Sequence, residues 1–337
     1  MSYALNRFGS ALFSNSIIPS FPHSLTHSPL FVSVEPANVC QLKCPACPVG
    51  QKSVSPKDGL SVKRSVSETV RQRSGLMPLE VFRRVVAECR DTAWVMQFYF
   101  QGEPLLNKEL PQMIREAHEA GLYTIVSTNA QAMTQEMAQA LVESGLDRII
   151  ISMDGLTNES YNAYRIGGSL DKCKAALRYL REAKQLQTTS NNLKRSQTII
   201  ELQVLRLRSN EHEWAAFKKQ YKVLGADRLV FKTAQLYDYA NGHPLMPSNP
   251  KYSRYVQGKD GLYHRRRLSK GCFRVWSGCV ITTTGEVLPC CYDKSHAYAY
   301  GNIMNTRMRE LFGNEKAVAF RQAAFRQTPN ICKECYK

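Results

Sequence analysis

The sequence predicts an α/β fold in which a parallel sheet forms a partial barrel or stays open, followed by a small cysteine-rich module. Strand-like and helix-like segments alternate about six times between residues 31 and 233, which favours parallel strands joined by right-handed crossovers. Six units are too few for a complete barrel of eight. The alternation then stops, and six of the eleven cysteines follow residue 271.

Each predicted strand is a short run of β-branched or apolar residues, and each predicted helix has apolar residues at helical spacing. The predicted strands are Phe31–Val34, Val95–Phe100, Tyr123–Val126, Arg148–Ser152, Thr198–Leu205 and Arg228–Phe231. The predicted helices are Leu79–Cys89, Glu109–Ala120, Gln135–Ser144, Leu170–Lys184 and Glu211–Leu224. Asn210 and Glu213 resemble a capping box at the start of the last helix.

Changes in composition divide the chain into four predicted parts. They are an N-terminal extension at residues 1–30, a core at 31–235, a bridge at 236–270 and the cysteine-rich module at 271–337. Within the core, Gln51–Gly75 is rich in Ser, Lys and Arg, and Gln187–Gln197 predicts a polar surface loop. Because so small a module buries little apolar surface, we expect it to need a bound metal for stability.

Composition is that of an ordinary globular protein, with 43% hydrophobic and 22% charged residues. No apolar run approaches the ~18 residues of a membrane span, and the N-terminal residues lack the continuous apolar core of a signal peptide. We therefore expect a cytoplasmic protein that does not enter a membrane. In that compartment eleven cysteines indicate metal or redox chemistry rather than disulfides. Cys89 and Cys173 stand alone in predicted helices and are expected to be buried.

The formal net charge of +17 favours acidic partners, which include nucleic acid, an anionic substrate and an acidic electron donor. The basic residues are dispersed, with local concentrations at Lys52–Arg73 and His264–Lys270. No aromatic residues are interleaved with them in the pattern of a nucleic-acid motif. A solvated basic surface is therefore favoured over nucleic-acid binding.

Cys40, Cys44 and Cys47 place three thiols in a compact loop directly after the first predicted strand. Soft thiolates favour zinc or an iron–sulfur cluster. Three ligands suit a four-iron cluster with one open iron, whereas structural zinc takes four ligands. Alone, the spacing is also compatible with part of a zinc site. Polar clusters follow later strands, near residues 102, 127 and 152, where the active sites of such folds gather.

Gly102-Glu103-Pro104 follows the next strand, and together with the C-x3-C-x2-C loop it resembles the radical SAM superfamily. The resemblance covers residues 31–235 and implies a partial (β/α)6 TIM-like barrel. It also implies that the amine and carboxylate of S-adenosylmethionine (SAM) chelate the open iron of a 4Fe-4S cluster. Glu103 would receive the amine, as expected for a carboxylate beside an ammonium. The alternative is that Gly102–Pro104 is only a strand-ending turn.

Further strand-end residues carry the same resemblance. Ser127-Thr128-Asn129 resembles the Thr-Asn-Gly turn of the family, although Ala130 stands where glycine is usual. Ser152 and Asp154 match a Ser-x-Asp-Gly motif that lies near the SAM ribose and carboxylate, and Arg165 matches an arginine that pairs with that carboxylate. The residues assigned to SAM binding are Gly102, Glu103, Pro104, Ser127, Asn129, Ser152, Asp154 and Arg165. For the weaker motifs, a helix cap or a surface ion pair is the alternative.

The cysteines of the tail resemble the SPASM and twitch extensions of the superfamily. The predicted ligands of a second 4Fe-4S cluster are Cys272, Cys290, Cys332 and Cys335. Four thiolates leave no iron open, and the lack of later cysteines favours the one-cluster twitch form. Cys279 and Cys291 are left over, and either could replace a ligand. A zinc ribbon is the competing hypothesis, since CxxC pairs serve zinc equally well.

Asp293 directly follows Cys290-Cys291-Tyr292 and is a candidate catalytic base at the mouth of the barrel. A substrate that loses a proton as well as a hydrogen atom needs such a carboxylate. An exposed aspartate in a turn is the alternative interpretation.

The resulting hypothesis is a radical SAM enzyme of the oxidoreductase type, which cleaves SAM to a 5′-deoxyadenosyl radical and abstracts hydrogen from its substrate. The resemblance implies peptide modification or oxidation of a sugar or other small molecule, with a flavodoxin- or ferredoxin-like electron donor. The alternatives are an RNA- or cofactor-modifying radical SAM protein and a non-catalytic iron–sulfur or zinc protein. A passive carrier has no use for polar groups at the strand ends, which argues against the last.

Overall fold

The computed structural model describes residues 28–51, 75–190, 198–266, 272–326, 329–333 and 335. Most of the predicted N-terminal extension, the basic stretch after Gln51, the end of the polar loop after Ser190 and the end of the bridge lie outside these residues. Among the described residues, no helix combines the length and the apolar character that crossing a membrane requires.

A mixed sheet is the centre of the fold. Its strands are β1 (Phe31–Val34), β2 (Val95–Phe98), β3 (Tyr123–Thr128), β4 (Arg148–Ser152), β5 (Ile199–Arg206), β6 (Arg228–Thr233), β9 (Gly278–Ile281), β10 (Glu286–Leu288) and β11 (Gly301–Asn302). Within the described part of the chain their order is β11-β10-β9-β1-β2-β3-β4-β5-β6. Strands β1 to β6 pair in parallel. In the bridge, β7 (Tyr255–Gln257) and β8 (Tyr263–Arg265) form a separate hairpin.

Helices connect the parallel strands and cover one face of the sheet. They are α1 (Pro48–Gln51), α2 (Leu79–Cys89), α3 (Leu110–Glu119), α4 (Gln135–Glu143), α5 (Asn158–Asn162), α6 (Leu170–Ser190) and α7 (Trp214–Gln220), followed in the tail by α8 (Arg274–Ser277), α9 (Met308–Gly313), α10 (Glu315–Phe325) and α11 (Asn330–Lys333). Helix α2 shows the pattern, since Phe82, Val85 and Cys89 recur every three or four residues and are buried. The opposite face of the sheet lines the barrel interior.

All six predicted strands occur, and the predicted helices occur with two differences. Helix α6 continues to Ser190, so the polar loop predicted from Gln187 begins later. The last predicted helix begins as a 3₁₀ turn and becomes α-helical only at Trp214. Its predicted capping box does not form, because Asn210 donates to carbonyl oxygens of neighbouring strand ends and Glu213 accepts from the N–H of Leu156.

The tail is not a detached module, because β9 pairs in parallel with β1 and extends the barrel sheet. Apolar side chains of the tail, among them Val275, Val287 and Phe312, belong to the same buried core as those of the barrel. Arg321 closes this core from α10, where it donates to the carbonyl oxygens of Val275 and Phe312. The tail therefore shares its core with the barrel, and the expectation that a bound metal supplies most of its stability stays a prediction.

Candidate functional site

The loop after β1 brings the thiols of Cys40, Cys44 and Cys47 to the carboxyl edge of the parallel strands. The N–H of Cys47 donates to the carbonyl oxygen of Cys44 at 3.1 Å, which turns the chain between these two cysteines. Cys44 is buried, and Cys40 and Cys47 are half-buried. Helix α1 packs against the loop at Gly50, where an added Cβ would lie 2.6 Å from the carbonyl oxygen of Cys44. Only glycine allows this close packing.

The three thiols are electrostatic neighbours of one another and of Arg165. Burial raises the pKa of Cys44 to about 11, Arg165 opposes this rise, and the thiols of Cys47 and Cys40 add to it. Burial likewise raises the pKa of Cys40, whose sulfur accepts from Nδ2 of Asn129 at 3.4 Å. Thiols grouped beside a guanidinium fit a metal cluster, because metal binding removes their protons and leaves an anionic ligand set.

Three thiols in one loop match the donor set of a 4Fe-4S cluster with three protein ligands. Such a cluster binds each thiolate at a separate iron, which leaves the fourth iron open for another ligand. A structural zinc site takes four protein ligands. The loop therefore suits a cluster with three protein ligands.

The Gly102-Glu103-Pro104 turn packs directly against the cysteine loop. Gly102 has a φ of 69°, and an added Cβ would lie 2.3 Å from the carbonyl oxygen of Ala37. No other residue fits this backbone conformation and this contact. The N–H of Glu103 then donates to the carbonyl oxygen of Val39 at 2.8 Å, and Pro104 begins a 3₁₀ turn.

The carboxylate of Glu103 joins the turns that follow β2 and β3. It is buried and accepts from the N–H of Leu105 at 3.1 Å, from Oγ1 of Thr128 at 2.5 Å and from the N–H of Asn129 at 2.8 Å. Burial raises the pKa of Glu103, while these hydrogen bonds and the charge of Arg165 oppose the rise. The turn is therefore held rigidly at the strand ends, as a positioned ligand site requires.

The turn after β3 contains a non-glycine residue, Ala130, in the left-handed backbone conformation. Ala130 has a φ of 62° and is fully buried, although this left-handed region favours glycine. Its N–H donates to Oγ1 of Thr128 at 2.9 Å, and Oδ1 of Asn129 accepts from Nε2 of Gln41 at 3.2 Å. The departure from the Thr-Asn-Gly motif therefore leaves the backbone path of a glycine turn intact.

Asp154 and Arg165 form a buried ion pair beside the cysteine loop. Nε of Arg165 donates to Oδ2 of Asp154 at 2.6 Å, and Oδ1 of Asp154 accepts from the N–H of Leu205 at 2.6 Å. Burial lowers the pKa of Arg165, but Asp154 and the nearby thiol of Cys44 raise it above its ordinary value. Within the described residues no acceptor binds the terminal nitrogens of Arg165, which leaves them for a ligand carboxylate.

Ser127 and Ser152 complete the set of residues assigned to SAM binding. Ser127 lies opposite Ile150 in the parallel register of β3 and β4, and Ser152 follows Ile150 by two residues. Both serines therefore lie on the inner face of the sheet, near its carboxyl edge. The predicted strand-end residues thus lie on neighbouring strands, near the edge of the sheet that carries the cysteine loop.

In the tail, the four predicted ligands lie near one another. Burial, together with the thiols of Cys272 and Cys335, raises the pKa of Cys332 to about 12. Burial also raises the pKa of Cys290, with contributions from Cys291, Cys272 and Cys335. The N–H of Cys335 donates to the carbonyl oxygen of Cys332 at 3.2 Å, which forms the turn of the CxxC pair. As in the first loop, this donor set suits a cluster.

The two remaining tail cysteines differ in position. Cys279 lies in β9, buried among core residues, and its electrostatic neighbours are Cys89 and Arg321. Cys291 adjoins Cys290, and its sulfur accepts from Nη1 of Arg274 at 3.6 Å. Cys279 is therefore a core residue, whereas Cys291 borders the group of four.

Asp293 is buried, so the alternative interpretation of Asp293 as an exposed turn residue is wrong. Its side chain is completely buried, with one oxygen accepting from the N–H of Ala297 and the other from the N–H of Tyr298, both at 2.9 Å. Burial raises the pKa of Asp293, and these two hydrogen bonds oppose the rise. The carboxylate holds the loop after the tail cysteines, a structural role that leaves the base hypothesis without support from geometry.

Lys294 is a residue that the sequence did not single out. Its ammonium donates to the carbonyl oxygen of Phe100 at 3.1 Å and lies 3.9 Å from the centre of the Phe100 ring. Gln101 donates to the carbonyl oxygen of Lys294 at 3.3 Å. Burial lowers the pKa of Lys294, while the thiols of Cys291 and Cys47 act in the opposite direction. Lys294 therefore fixes the tail loop to the turn before Glu103, and no local sequence pattern announces this long-range contact.

Comparison with known proteins agrees with this arrangement. A family model described as radical SAM superfamily matches residues 34–193, and one described as an iron–sulfur cluster-binding domain, SPASM, matches residues 272–336. A PqqA peptide cyclase of Rhodopseudomonas palustris is 28% identical over 223 residues, which are 65% of this chain and 51% of the relative. An AdoMet-dependent heme synthase of Nitratidesulfovibrio vulgaris is 26% identical over 261 residues, 69% of this chain and 68% of the relative.

A solved structure supports the fold. Native anSMEcpe with bound AdoMet superposes with a TM-score of 0.62 at 20% identity, covering 88% of this chain and 84% of that one. The chain spans only about half the length of the Rhodopseudomonas relative. The two family models together cover more than half of this chain and match the parts that contain the two cysteine groups. Residues 34–193 form a radical SAM domain, and a SPASM iron–sulfur domain follows it at residues 272–336.

Proposed function

We propose that the protein is an enzyme that reductively cleaves SAM and abstracts a hydrogen atom from a peptide substrate. The observation that carries this proposal is the placement of three thiols, the Glu103 turn and the Arg165 guanidinium at one edge of the parallel strands. A reduced 4Fe-4S cluster held there would supply the electron needed to cleave SAM to the 5′-deoxyadenosyl radical.

The residues of the chain divide the remaining tasks. Cys40, Cys44 and Cys47 would hold the cluster, and the terminal nitrogens of Arg165 would bind the SAM carboxylate. The Glu103 turn would receive the SAM amine, with Gly102 and Pro104 fixing its path. Because the carboxylate of Glu103 is already held by three hydrogen bonds, its position does not have to be organised when SAM binds.

The remaining assignments concern the ribose of SAM and the second cluster, whose four irons would all have protein ligands. Ser127, Asn129 and Ser152 would lie along the ribose of SAM, and Asp154 would position Arg165 rather than contact SAM. The predicted ligands of the closed second cluster are Cys272, Cys290, Cys332 and Cys335. That cluster would accept an electron from the substrate or help to position it.

Replacing Arg165 by lysine is expected to raise the KM for SAM about tenfold or more, with little change in kcat. Lysine keeps the positive charge beside Asp154 but loses the fork that binds a carboxylate through two nitrogens. A lost charge-assisted hydrogen bond costs about 1.5–3 kcal/mol, which corresponds to roughly 10- to 150-fold in affinity. The control is Arg178→Lys, at an exposed arginine of α6. An unchanged KM in the Arg165 variant would remove this residue from the SAM site.

The peptide substrate rests on the relatives, three of which are PqqA peptide cyclases. A small cofactor precursor is the second candidate, because a heme synthase is similar over 261 residues. The electron donor in this proposal is a flavodoxin- or ferredoxin-like protein, which the net charge of +17 would attract if the donor is acidic. The proposed location is the cytoplasm, whose reducing environment keeps thiols free.

The predicted organisation remains part of the proposal, with a barrel core at residues 31–235, a bridge at 236–270 and the cluster-binding tail at 271–337. The pairing of β9 with β1 means that the tail and the barrel meet through backbone hydrogen bonds.

The proposal is tested with wild-type protein that has been reconstituted with iron and sulfide under anaerobic conditions and reduced with dithionite. We expect 5′-deoxyadenosine and methionine in equal amounts, even without substrate. If the reconstituted protein contains its clusters but leaves SAM intact, the proposal is wrong.

A further inference from the structure

The inner face of β4, β5 and β6 is polar, in contrast to the face that the helices cover. Ile151 in β4 and Leu202 in β5 are paired and fully buried on the outer face. On the inner face the register places Ile150 opposite Glu201, and Leu205 opposite Lys232. Since side chains alternate along a strand, Glu201 and Lys232 both point into the barrel interior.

Positive charge predominates in this part of the interior. Arg148 binds Glu201 with 3.4 Å between Nη1 and Oε2. Arg254 donates to Oγ1 of Thr233 at 2.9 Å and to the hydroxyl of Tyr292 at 3.2 Å, which places it between β6 and the tail loop. The electrostatic neighbours of Lys232 are Glu201 and three arginines, Arg148, Arg274 and Arg254.

Lys232 has the surroundings of a residue that lines a cleft. Its side chain is accessible to solvent, yet the protein atoms around it lower its pKa through burial. Among the described residues, its ammonium has no hydrogen-bond or ion-pair partner. Nε of Arg148 is buried and has no partner within the same residues. Lys232 and Arg148 therefore both have unused hydrogen-bonding capacity on the same inner face. Two further cations, Arg254 and Arg274, and a single carboxylate, Glu201, leave an excess of positive charge there.

We propose that Lys232 and Arg148 bind a carboxylate of the substrate inside the barrel. This inference rests on the proposed function and names the chemical class of the substrate. Lys232 is the penultimate residue of β6. It therefore lies near the carboxyl edge of the parallel strands, the edge that also carries the cysteine loop. An acidic side chain anchored there would hold the neighbouring part of a peptide near the reacting centre. A small carboxylic acid offers the same chemistry.

The test measures binding rather than turnover, so it does not depend on SAM cleavage. Reconstituted full-length protein with SAM and without reductant is titrated by anaerobic calorimetry with acetylated, amidated tetraglutamate. Tetraglutamine of the same length is the neutral control, and glutarate represents a small acid. The variants are Lys232→Gln and, as a matched surface control, Lys219→Gln on α7, whose side chain is exposed. Because Lys232 is accessible to solvent, its variant is expected to fold.

We expect tetraglutamate to bind at least about tenfold more tightly than tetraglutamine, and Lys232→Gln to weaken tetraglutamate about tenfold. Lys219→Gln should change neither affinity. If glutarate binds as tightly as the peptide with the same dependence on Lys232, the carboxylate site stands and its source is a small acid. Equal binding of the two peptides, or an unchanged affinity in Lys232→Gln, would overturn the inference. A ten-residue uridylate RNA is titrated in the same way. If this RNA binds in a manner that depends on Lys232 and tetraglutamate does not bind, the inference is overturned in favour of an RNA substrate.

The outcome is separable from that of the proposed function. If the wild-type protein fails to cleave SAM, the proposed function is wrong whatever the calorimetry gives. If it cleaves SAM but shows no preference for the acidic peptide, only the carboxylate site is wrong.

Discussion

Replacement of Cys40, Cys44 and Cys47 by alanine is expected to reduce 5′-deoxyadenosine formation to the background of a protein-free control. These cysteines supply all three protein ligands of the proposed open cluster, and no other thiol of the described residues lies in their loop. Without the cluster, SAM has no electron source at the strand ends. Iron content should fall by half, because the tail ligands lie on different elements and remain in place.

The control for this variant removes two cysteines that the structure assigns to the core. Cys89 and Cys279 are both buried and are electrostatic neighbours of each other. Their double replacement by alanine should leave iron content and SAM cleavage unchanged, apart from a modest loss of stability from lost packing. Undiminished 5′-deoxyadenosine in the triple variant would show that the cluster lies elsewhere.

Serine variants of any one tail ligand should lose the second cluster and substrate turnover but keep substrate-free SAM cleavage. We expect this separation because the apolar core that the tail shares with the barrel would hold the tail in place when the cluster is lost. Iron should fall from about eight to about four per chain, on the stoichiometry of 4Fe-4S clusters. The variants are Cys272→Ser, Cys290→Ser, Cys332→Ser and Cys335→Ser.

Cys279→Ala and Cys291→Ala are the matched controls in the tail. Both should keep the full iron content, since Cys279 faces the core and the sulfur of Cys291 accepts from Arg274. Loss of the second cluster in Cys291→Ala would make that residue a ligand and would displace one of the predicted four. Loss of SAM cleavage in the ligand variants would mean that the two sites do not act separately.

Local patterns in the sequence were sufficient to predict the parallel strands and the polar groups at their ends. Arg148–Ser152 and Phe31–Val34 have the bounds that the sequence predicts, because each is a short run of mostly apolar or β-branched residues. The positions of Glu103 and Arg165 followed from motifs, and the structure brings both to the cysteine loop. Because the carboxyl ends of parallel strands meet at one edge, motifs that follow successive strands are expected to lie close together.

Contacts between distant parts of the chain could not be predicted in this way. The pairing of β9 with β1 depends on register across more than two hundred residues, and no composition signal encodes it. The capping box at Asn210 and Glu213 failed for the same reason, since tertiary hydrogen bonds to Asp154 and Leu156 replaced the local ones.

The claim that one chain holds an open cluster in the barrel and a closed one in the tail is tested most directly by its metal content. Iron, acid-labile sulfide and zinc are counted in reconstituted wild-type protein. We expect about eight irons, about eight sulfides and no zinc per chain. About four irons with one zinc would contradict it, because the tail would then be a zinc site without an electron-accepting cluster.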